Sequence, residues 1–130
     1  MSEVKNEKVR VAQCLCDIFI DKIDINIQDK FGNTAFMLAA KTNTNVEVIQ
    51  YLYNTFKDKI DTNQQNYDGN TAFMLAAQYN SNVEVIQYLY NTFKNKIDIN
   101  QCNINGETAF MLTAAYNTSI EILTFLYDIF

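Results

Sequence analysis

Three glutamates, Glu47, Glu84 and Glu121, are the residues of this chain whose type and regular spacing could support chemistry. Two carboxylates in one cleft can share acid and base roles, as in glycoside hydrolysis. Each of these glutamates, however, follows a Ser or Thr by three residues, which is the spacing of a capping box at a helix N-terminus. The capping residues predicted from this spacing are Thr44, Ser81 and Thr118. We therefore assign the glutamates to helix starts rather than to catalysis.

Few other residues are candidates for catalysis or metal binding. The chain has no histidine, which removes the commonest general base and metal ligand and every Ser-His or Cys-His triad. Cys14 and Cys16 would diverge by about 200° around a helix axis, so they do not form a metal pair. Cys102 is a lone thiol, and the three glycines lie 37 residues apart rather than in a phosphate-binding loop. We expect no enzyme activity, no cofactor and no metal.

Composition excludes several classes of partner. The net charge is −5, and the sequence has no basic run of the kind that binds nucleic acid or an anionic membrane. Every apolar stretch is far shorter than the roughly 20 residues that span a bilayer, and the charged N-terminus does not resemble a secretory signal. The odd number of cysteines indicates free thiols. These features predict an intracellular protein, cytoplasmic in location.

The strongest pattern in the chain is an internal repeat. Residues 32–68 and 69–105 are identical at 29 of 37 positions without a gap, so they must adopt one local structure. A further copy starts at Gly106, and 9–31 aligns with the end of a repeat. The predicted organisation is one domain, consisting of a tail 1–8, a partial repeat 9–31, complete repeats 32–68 and 69–105, and a C-terminal partial repeat 106–130 with both helices.

Each repeat predicts the same order of elements. In the second repeat, a turn at Gly69 leads to Thr71, a good N-cap residue, and then to a short run of helix formers. After a polar break, an amphipathic second helix is predicted over 83–93. The chain then returns through a connector that we predict to be extended, with an aspartate that serves the turns: 60–63 with Asp61, and 97–100 with Asp98.

Helices this short become stable by stacking against neighbouring repeats. The alanines of the first helices permit close approach, and the phenylalanines and methionines beside them are predicted to fill the layers between repeats. The tyrosines of the second helices are predicted to pack in the core or on its edge. The predicted packing residues are Phe36, Phe73, Phe110, Met37, Met74, Met111, Tyr51, Tyr53, Tyr88 and Tyr90.

These elements resemble the ankyrin repeat. The resemblance rests on 69–77 (Gly-Asn-Thr-Ala-Phe-Met-Leu-Ala-Ala), 83–86 (Val-Glu-Val-Ile) and 97–100 (Ile-Asp-Ile-Asn), in this order and at a fixed period. It implies an all-α solenoid of helix-turn-helix repeats with short hairpin-like connectors. It also implies that this solenoid binds another protein. The chain has Thr-Ala-Phe-Met where the family has Thr-Pro-Leu-His, and its period is 37 where the family has about 33. The Asn-, Ile- and Lys-rich composition is similar to that of ankyrin proteins of giant DNA viruses and protists. If the chain is viral, its predicted location is the host cytoplasm.

Positions at which the repeats differ are the candidates for partner binding. They cluster before each turn glycine and at the end of each first helix. The resemblance implies that turn tips and first helices line one concave surface, where partners dock. Tyrosine in particular is favoured at interface hot spots. We name these candidates the variable strip: Phe31, Lys41, Tyr67, Asp68, Gln78, Tyr79, Ile104 and Tyr116.

The leading hypothesis is a protein-interaction module that binds its partner on the variable strip. An alternative follows from the two terminal helices, over 9–20 and 120–130, whose apolar surfaces have no neighbouring repeat outside them. They could carry further repeats or associate end to end with other copies of the chain. A further alternative is an adaptor of a larger complex such as a ubiquitin ligase, which would require a recruiting segment beyond these residues.

Overall fold

The computed structural model describes Lys8, Arg10, Val11 and residues 23–129. Within 23–129 the chain forms six α-helices in three pairs and no strand. The first helices of the pairs are α1 (Ala35–Thr42), α3 (Ala72–Tyr79) and α5 (Ala109–Tyr116), and the second helices are α2 (Val46–Phe56), α4 (Val83–Phe93) and α6 (Ile120–Ile129). The all-α repeat fold is therefore confirmed. Most of the predicted helix over 9–20, including Cys14 and Cys16, and the terminal Phe130 lie outside the described residues.

Each repeat begins at a tight turn that requires its glycine. In the first turn, the Gly32 amide donates to the Asp29 carbonyl and the Asp29 amide donates to the Asn33 carbonyl. Gly32 has φ +84°, in the left-handed region that glycine adopts without cost from a side chain. A Cβ at this residue would lie 2.6 Å from the backbone nitrogen of Tyr67, in the next turn. The turn recurs in the following two repeats with φ of +81° and +77°, which explains the regular spacing of the glycines.

The first helix of each pair starts at a threonine, as predicted. The Thr34 hydroxyl accepts the Met37 amide at 3.2 Å, and Thr71 and Thr108 accept the equivalent amides at 3.3 Å. In α1 the Met37 sulfur also accepts the Thr34 amide, at 3.4 Å. A methionine thus completes the reciprocal cap that Glu or Gln usually makes. These bonds fix the start of each first helix directly after its turn.

The second helices start one residue later than the predicted capping boxes. The side chains of Asn45 and Asn82 cap α2 and α4, and each accepts an amide of the first turn at 3.0 Å. In the last repeat the Ser119 hydroxyl accepts an amide of α6 at 3.2 Å. The prediction of Thr44, Ser81 and Thr118 as caps was wrong. The reason is a preceding turn, in which the Asn43 side chain accepts the Asn45 amide at 2.9 Å and leaves the residue between them outside the helix.

The connectors after α2 and α4 are bent rather than extended. The Asp61 carbonyl accepts the Gln64 amide at 3.3 Å, and the Asp61 carboxylate accepts the Asn63 amide at 3.0 Å. Asp98 makes the same carboxylate bond to the Asn100 amide at 2.9 Å. The predicted role of the two aspartates in turns is confirmed, but the predicted extended conformation was wrong because their side chains close a turn locally.

The core lies between successive helix pairs. Met37 and Met74 are each 2% exposed, and the alanines that separate first helices are fully buried at Ala40, Ala76 and Ala77. Aromatic side chains bridge neighbouring pairs, since the Phe93 ring lies edge-on to Phe36 and Tyr53 of the first pair, at centroid distances of 5.9 and 5.0 Å. Further large side chains at the core are Ile49, Val85, Ile86, Leu89, Leu112, Ile122 and Leu126.

Met111 does not pack between repeats, and its predicted burial was wrong. It is 53% exposed, although it occupies the position of Met37 and Met74. The nearby Ala114 and Ala115 are also exposed. The reason is that these side chains lie on the face of α5 that points away from α3, where no described helix covers them.

Candidate functional site

Backbone hydrogen bonds place the turn tips of the variable strip side by side. The Tyr67 amide donates to the Phe31 carbonyl at 3.1 Å, and the Ile104 amide donates to the Asp68 carbonyl at 3.0 Å. Because these bonds use the backbone, the side chains remain free to project outward. Phe31, Tyr67 and Ile104 are 59%, 64% and 70% exposed.

The ends of the first helices supply the other half of the variable strip. Tyr79 and Tyr116 occupy the same position in successive repeats and are 53% and 59% exposed. The ammonium of Lys41 lies 4.7 Å from the centroid of the Tyr79 ring, so the two helix ends meet in a cation–π contact. Gln78 is half-buried beside them.

A cleft of about 200 Å³ separates the first turn tip from α3. Four members of the variable strip line it, and the others lie outside its lining. They contribute a cation, an anion and two rings, and the remaining wall consists of three amide side chains and one leucine. The lining residues are Phe31, Lys41, Asp68, Tyr79, Asn33, Asn66, Asn70 and Leu75.

Paired amides that were not predicted from the sequence hold this cleft in place. The Asn66 side-chain nitrogen donates to the Asn33 side-chain oxygen at 2.9 Å, and Asn103 donates to Asn70 in the same way at 3.0 Å. All four residues are buried. A buried amide is costly unless it is paired, so the two bonds fix the spacing of successive tips. Recurrence of Asn66 and Asn103 at the repeat period was the signal that could have revealed them.

A second set of asparagines ties the helix ends together. The Asn80 side-chain nitrogen donates to the carbonyls of Ala40 and Asn43, both at 2.9 Å. Asn117 donates one repeat later to the carbonyls of Ala77 and Asn80, also at 2.9 Å. These bonds satisfy carbonyls at the C-termini of α1 and α3, where helix geometry leaves carbonyls without a partner in their own helix. They hold Tyr79 and Tyr116 at a fixed distance from the preceding repeat.

Several chemical features of the described residues bear on function. They contain no group of three or more Cys, Asp or Glu side chains that could hold a metal ion. Burial on α4 is the main cause that raises the pKa of the Tyr88 phenol, and the nearby Tyr53 raises it further. Cys102 is a free, exposed thiol. In the described part of the chain, no helix combines the length and the apolar character needed to cross a membrane.

Comparison with known proteins agrees with this architecture. Over residues 2–101, the chain matches the family model described as ankyrin repeats, in three copies. The chain belongs to the ankyrin repeat family. A search of the curated proteins gave no match. Ankyrin repeats generally act as protein-interaction modules and are typically not enzymes. Residues 106–129 lie beyond the match but have the same turn, threonine-capped helix and second helix as the repeats before them.

Proposed function

We propose that this ankyrin repeat chain binds a partner protein on the variable strip. The observation that carries the proposal is the exposure of its apolar and aromatic side chains. Five of the eight members are more than half exposed, and four members line one cleft. A soluble surface rarely gathers large apolar side chains without a binding role.

The energetics favour tyrosines as the anchors of such an interface. A few central aromatic side chains usually contribute most of the binding free energy. Tyr79 needs little further ordering when a partner binds, because Lys41 already holds its ring. The buried amide pairs beneath the tips supply a rigid support for Phe31 and Tyr67.

Affinity capture from a cell extract tests this proposal. The native chain is compared with a variant carrying Tyr67→Ala, Tyr79→Ala and Tyr116→Ala, and circular dichroism verifies that both are folded. Each anchoring ring is worth about 2 kcal/mol, so a true partner should be lost from the variant. A matched control carries Tyr127→Ala, because Tyr127 is 70% exposed and lies on α6, outside the strip. A partner that is retained by the triple variant but lost by the control would contradict the proposal.

Self-association is the second candidate function, because the outer face of the last repeat is apolar. Met111, Ile120 and Tyr127 are 53%, 79% and 70% exposed there. Ile129, which the sequence suggested for this contact, is half-buried against the core. Sedimentation of the native chain and of a Met111→Lys, Tyr127→Lys variant tests this candidate. A concentration-dependent dimer that the variant abolishes would favour it, and a monomer at high concentration would eliminate it.

The remaining parts of the proposal concern chemistry and location. We propose that the chain has no catalytic activity, a proposal consistent with the structural roles of its recurring carboxylates. The exposed free thiol of Cys102 is compatible with a reducing intracellular compartment. An adaptor role would be an extension of partner binding, tested by whether the captured protein belongs to a larger complex.

A further inference from the structure

The charges along the variable strip are not evenly distributed. Its cation, Lys41, belongs to the first repeat, and the equivalent residues in the following repeats are Gln78 and Ala115. Lys30, beside Phe31, shows the same progression, because its equivalents are Tyr67 and Ile104. The lysines of this surface therefore belong to the first repeat, where Asp29 lies beside Lys30 and accepts the Phe31 and Asn33 amides, whereas the third repeat presents Ile104 and Tyr116.

The two lysines are available to a ligand. Lys30 is exposed, with its ammonium 5.1 Å from the Phe31 centroid, and the Lys41 ammonium lies 4.7 Å from the Tyr79 centroid. Neither forms an ion pair with a carboxylate among the described residues. The ring contacts restrain both side chains without neutralising their charges. A carboxylate that approached either lysine would meet a cation that is already partly ordered.

Asp68 limits where that carboxylate can lie. Its exposed side chain lines the same cleft as Lys41 and belongs to the second turn tip. An acidic group beside the second turn tip would be repelled by Asp68, whereas one on the first-repeat side of the cleft would meet Lys41 and, at the first turn tip, Lys30. A basic segment would be attracted by the net charge of −5 but repelled by Lys30 and Lys41 at this position.

We propose that the variable strip takes an extended partner segment in one orientation. Acidic side chains contact Lys30 and Lys41, and apolar side chains contact Ile104 and Tyr116. Packed helices lie about 8–10 Å apart, and an extended chain advances about 3.3 Å per residue. Two repeat steps therefore separate the acidic and apolar residues by about five or six positions. This inference rests on the proposed function and specifies the chemistry of the partner.

Selection from a library of random 12-residue peptides tests the inference. Peptides are selected on the native chain at low salt and on a variant carrying Lys30→Glu and Lys41→Glu. The control carries Lys94→Glu and Lys96→Glu, which changes the net charge equally at exposed residues after α4. Lys30→Gln with Lys41→Gln provides a milder variant if the charge reversal disturbs folding.

The expected result is enrichment of Asp or Glu about five or six positions from an apolar residue. The best peptide should bind the Lys30→Glu, Lys41→Glu variant about tenfold more weakly, since the contacts with both positions become repulsive, and should bind the control almost as tightly as the native chain. Added salt should reduce its affinity for the native chain.

Three other outcomes would overturn the inference. Peptides that require Tyr79 and Tyr116 but show no acidic preference would contradict the inference and leave the proposed function intact. Enrichment of basic peptides that bind the Lys30→Glu, Lys41→Glu variant at least as tightly as they bind the native chain would show that net charge selects the partner. If no peptide is enriched whose binding requires Tyr79 and Tyr116, the result would count against both the inference and the proposed function.

Discussion

Each repeat carries two surfaces that differ in burial. One is the stacking face, the side of the first helix that packs between repeats and includes Met74 in the second repeat, and the other is the variable strip. On α3, Met74 is 2% exposed, whereas Tyr79, five residues further on, is 53% exposed. The position of Met74 is methionine in all three repeats, while the position of Tyr79 is Thr42 in the first. Residues that hold the stack together therefore recur, and residues that the stack does not need are free to vary. Substitutions on the variable strip can therefore change which partner is bound without loss of the fold.

The largest expected effect on the free energy of unfolding comes from shortening a buried side chain of the stacking face. Met74→Ala should lower the free energy of unfolding by about 2–5 kcal/mol, because it leaves a cavity between α3 and α5. Met111→Ala removes the same atoms from an exposed position and should cost less than about 0.5 kcal/mol. Urea unfolding followed by circular dichroism measures both. Equal losses would show that the outer face of α5 is covered in solution.

The turn glycines provide a second matched pair. Gly69 and Gly106 have φ of +81° and +77°, so alanine should cost each about 1 kcal/mol through the left-handed backbone alone. At Gly69 the added Cβ would also lie 2.9 Å from the Ile104 nitrogen, whereas nothing lies within 4 Å at Gly106. Gly69→Ala should therefore cost about 1–3 kcal/mol more than Gly106→Ala. If thermal unfolding shows no difference, the tips are not packed as closely as described.

A smaller effect, in the stabilising direction, is expected at Cys102. The Gln28 and Gln65 side chains donate to the carbonyls of Gly32 and Gly69 at 2.8 and 2.7 Å, and Cys102 occupies the equivalent position in the third turn. Cys102→Gln should restore this bond and raise the free energy of unfolding by about 0.5–1 kcal/mol. Cys102→Ser serves as the control, because its shorter side chain should not reproduce the gain.

The smallest effect on stability is expected within the variable strip. Tyr67→Ser and Tyr116→Ser replace rings that are 64% and 59% exposed, so each should change the free energy of unfolding by less than about 0.5 kcal/mol. The same urea experiment applies. A loss above about 1 kcal/mol would mean that these rings support the stack, and the distinction between the two surfaces would fail.

The sequence predicted the elements that depend on local chemistry. The turn glycines, the threonine caps and the bounds of α4 follow from residue types at a fixed period, and the structure agrees with all of them. The cap of the second helix was missed by one residue. Thr44 and Asn45 are both good caps, and only the turn made by Asn43 decides between them.

The sequence could not predict features that depend on neighbouring repeats. Met74 and Met111 have nearly identical surroundings in sequence, and their different burial is set by the presence or absence of a covering helix. The exposure of the strip's rings was anticipated from their variability, and the family resemblance implied a shared surface, but the cleft was not predicted. The cleft needs the bond between the Phe31 carbonyl and the Tyr67 amide and the amide pair of Asn33 and Asn66, which join residues more than 30 positions apart.

Site-specific photo-crosslinking most directly tests the claim that the variable strip binds a partner protein. A p-benzoylphenylalanine is placed at residue 79, where it replaces one exposed ring by another, and separately at residue 91, an exposed position on α4 outside the strip. If the variable strip binds a partner, illumination in cell extract should join the chain to a distinct protein through residue 79 and not through residue 91. Crosslinks formed only through residue 91, or formed at residue 79 only to other copies of the chain, would contradict it.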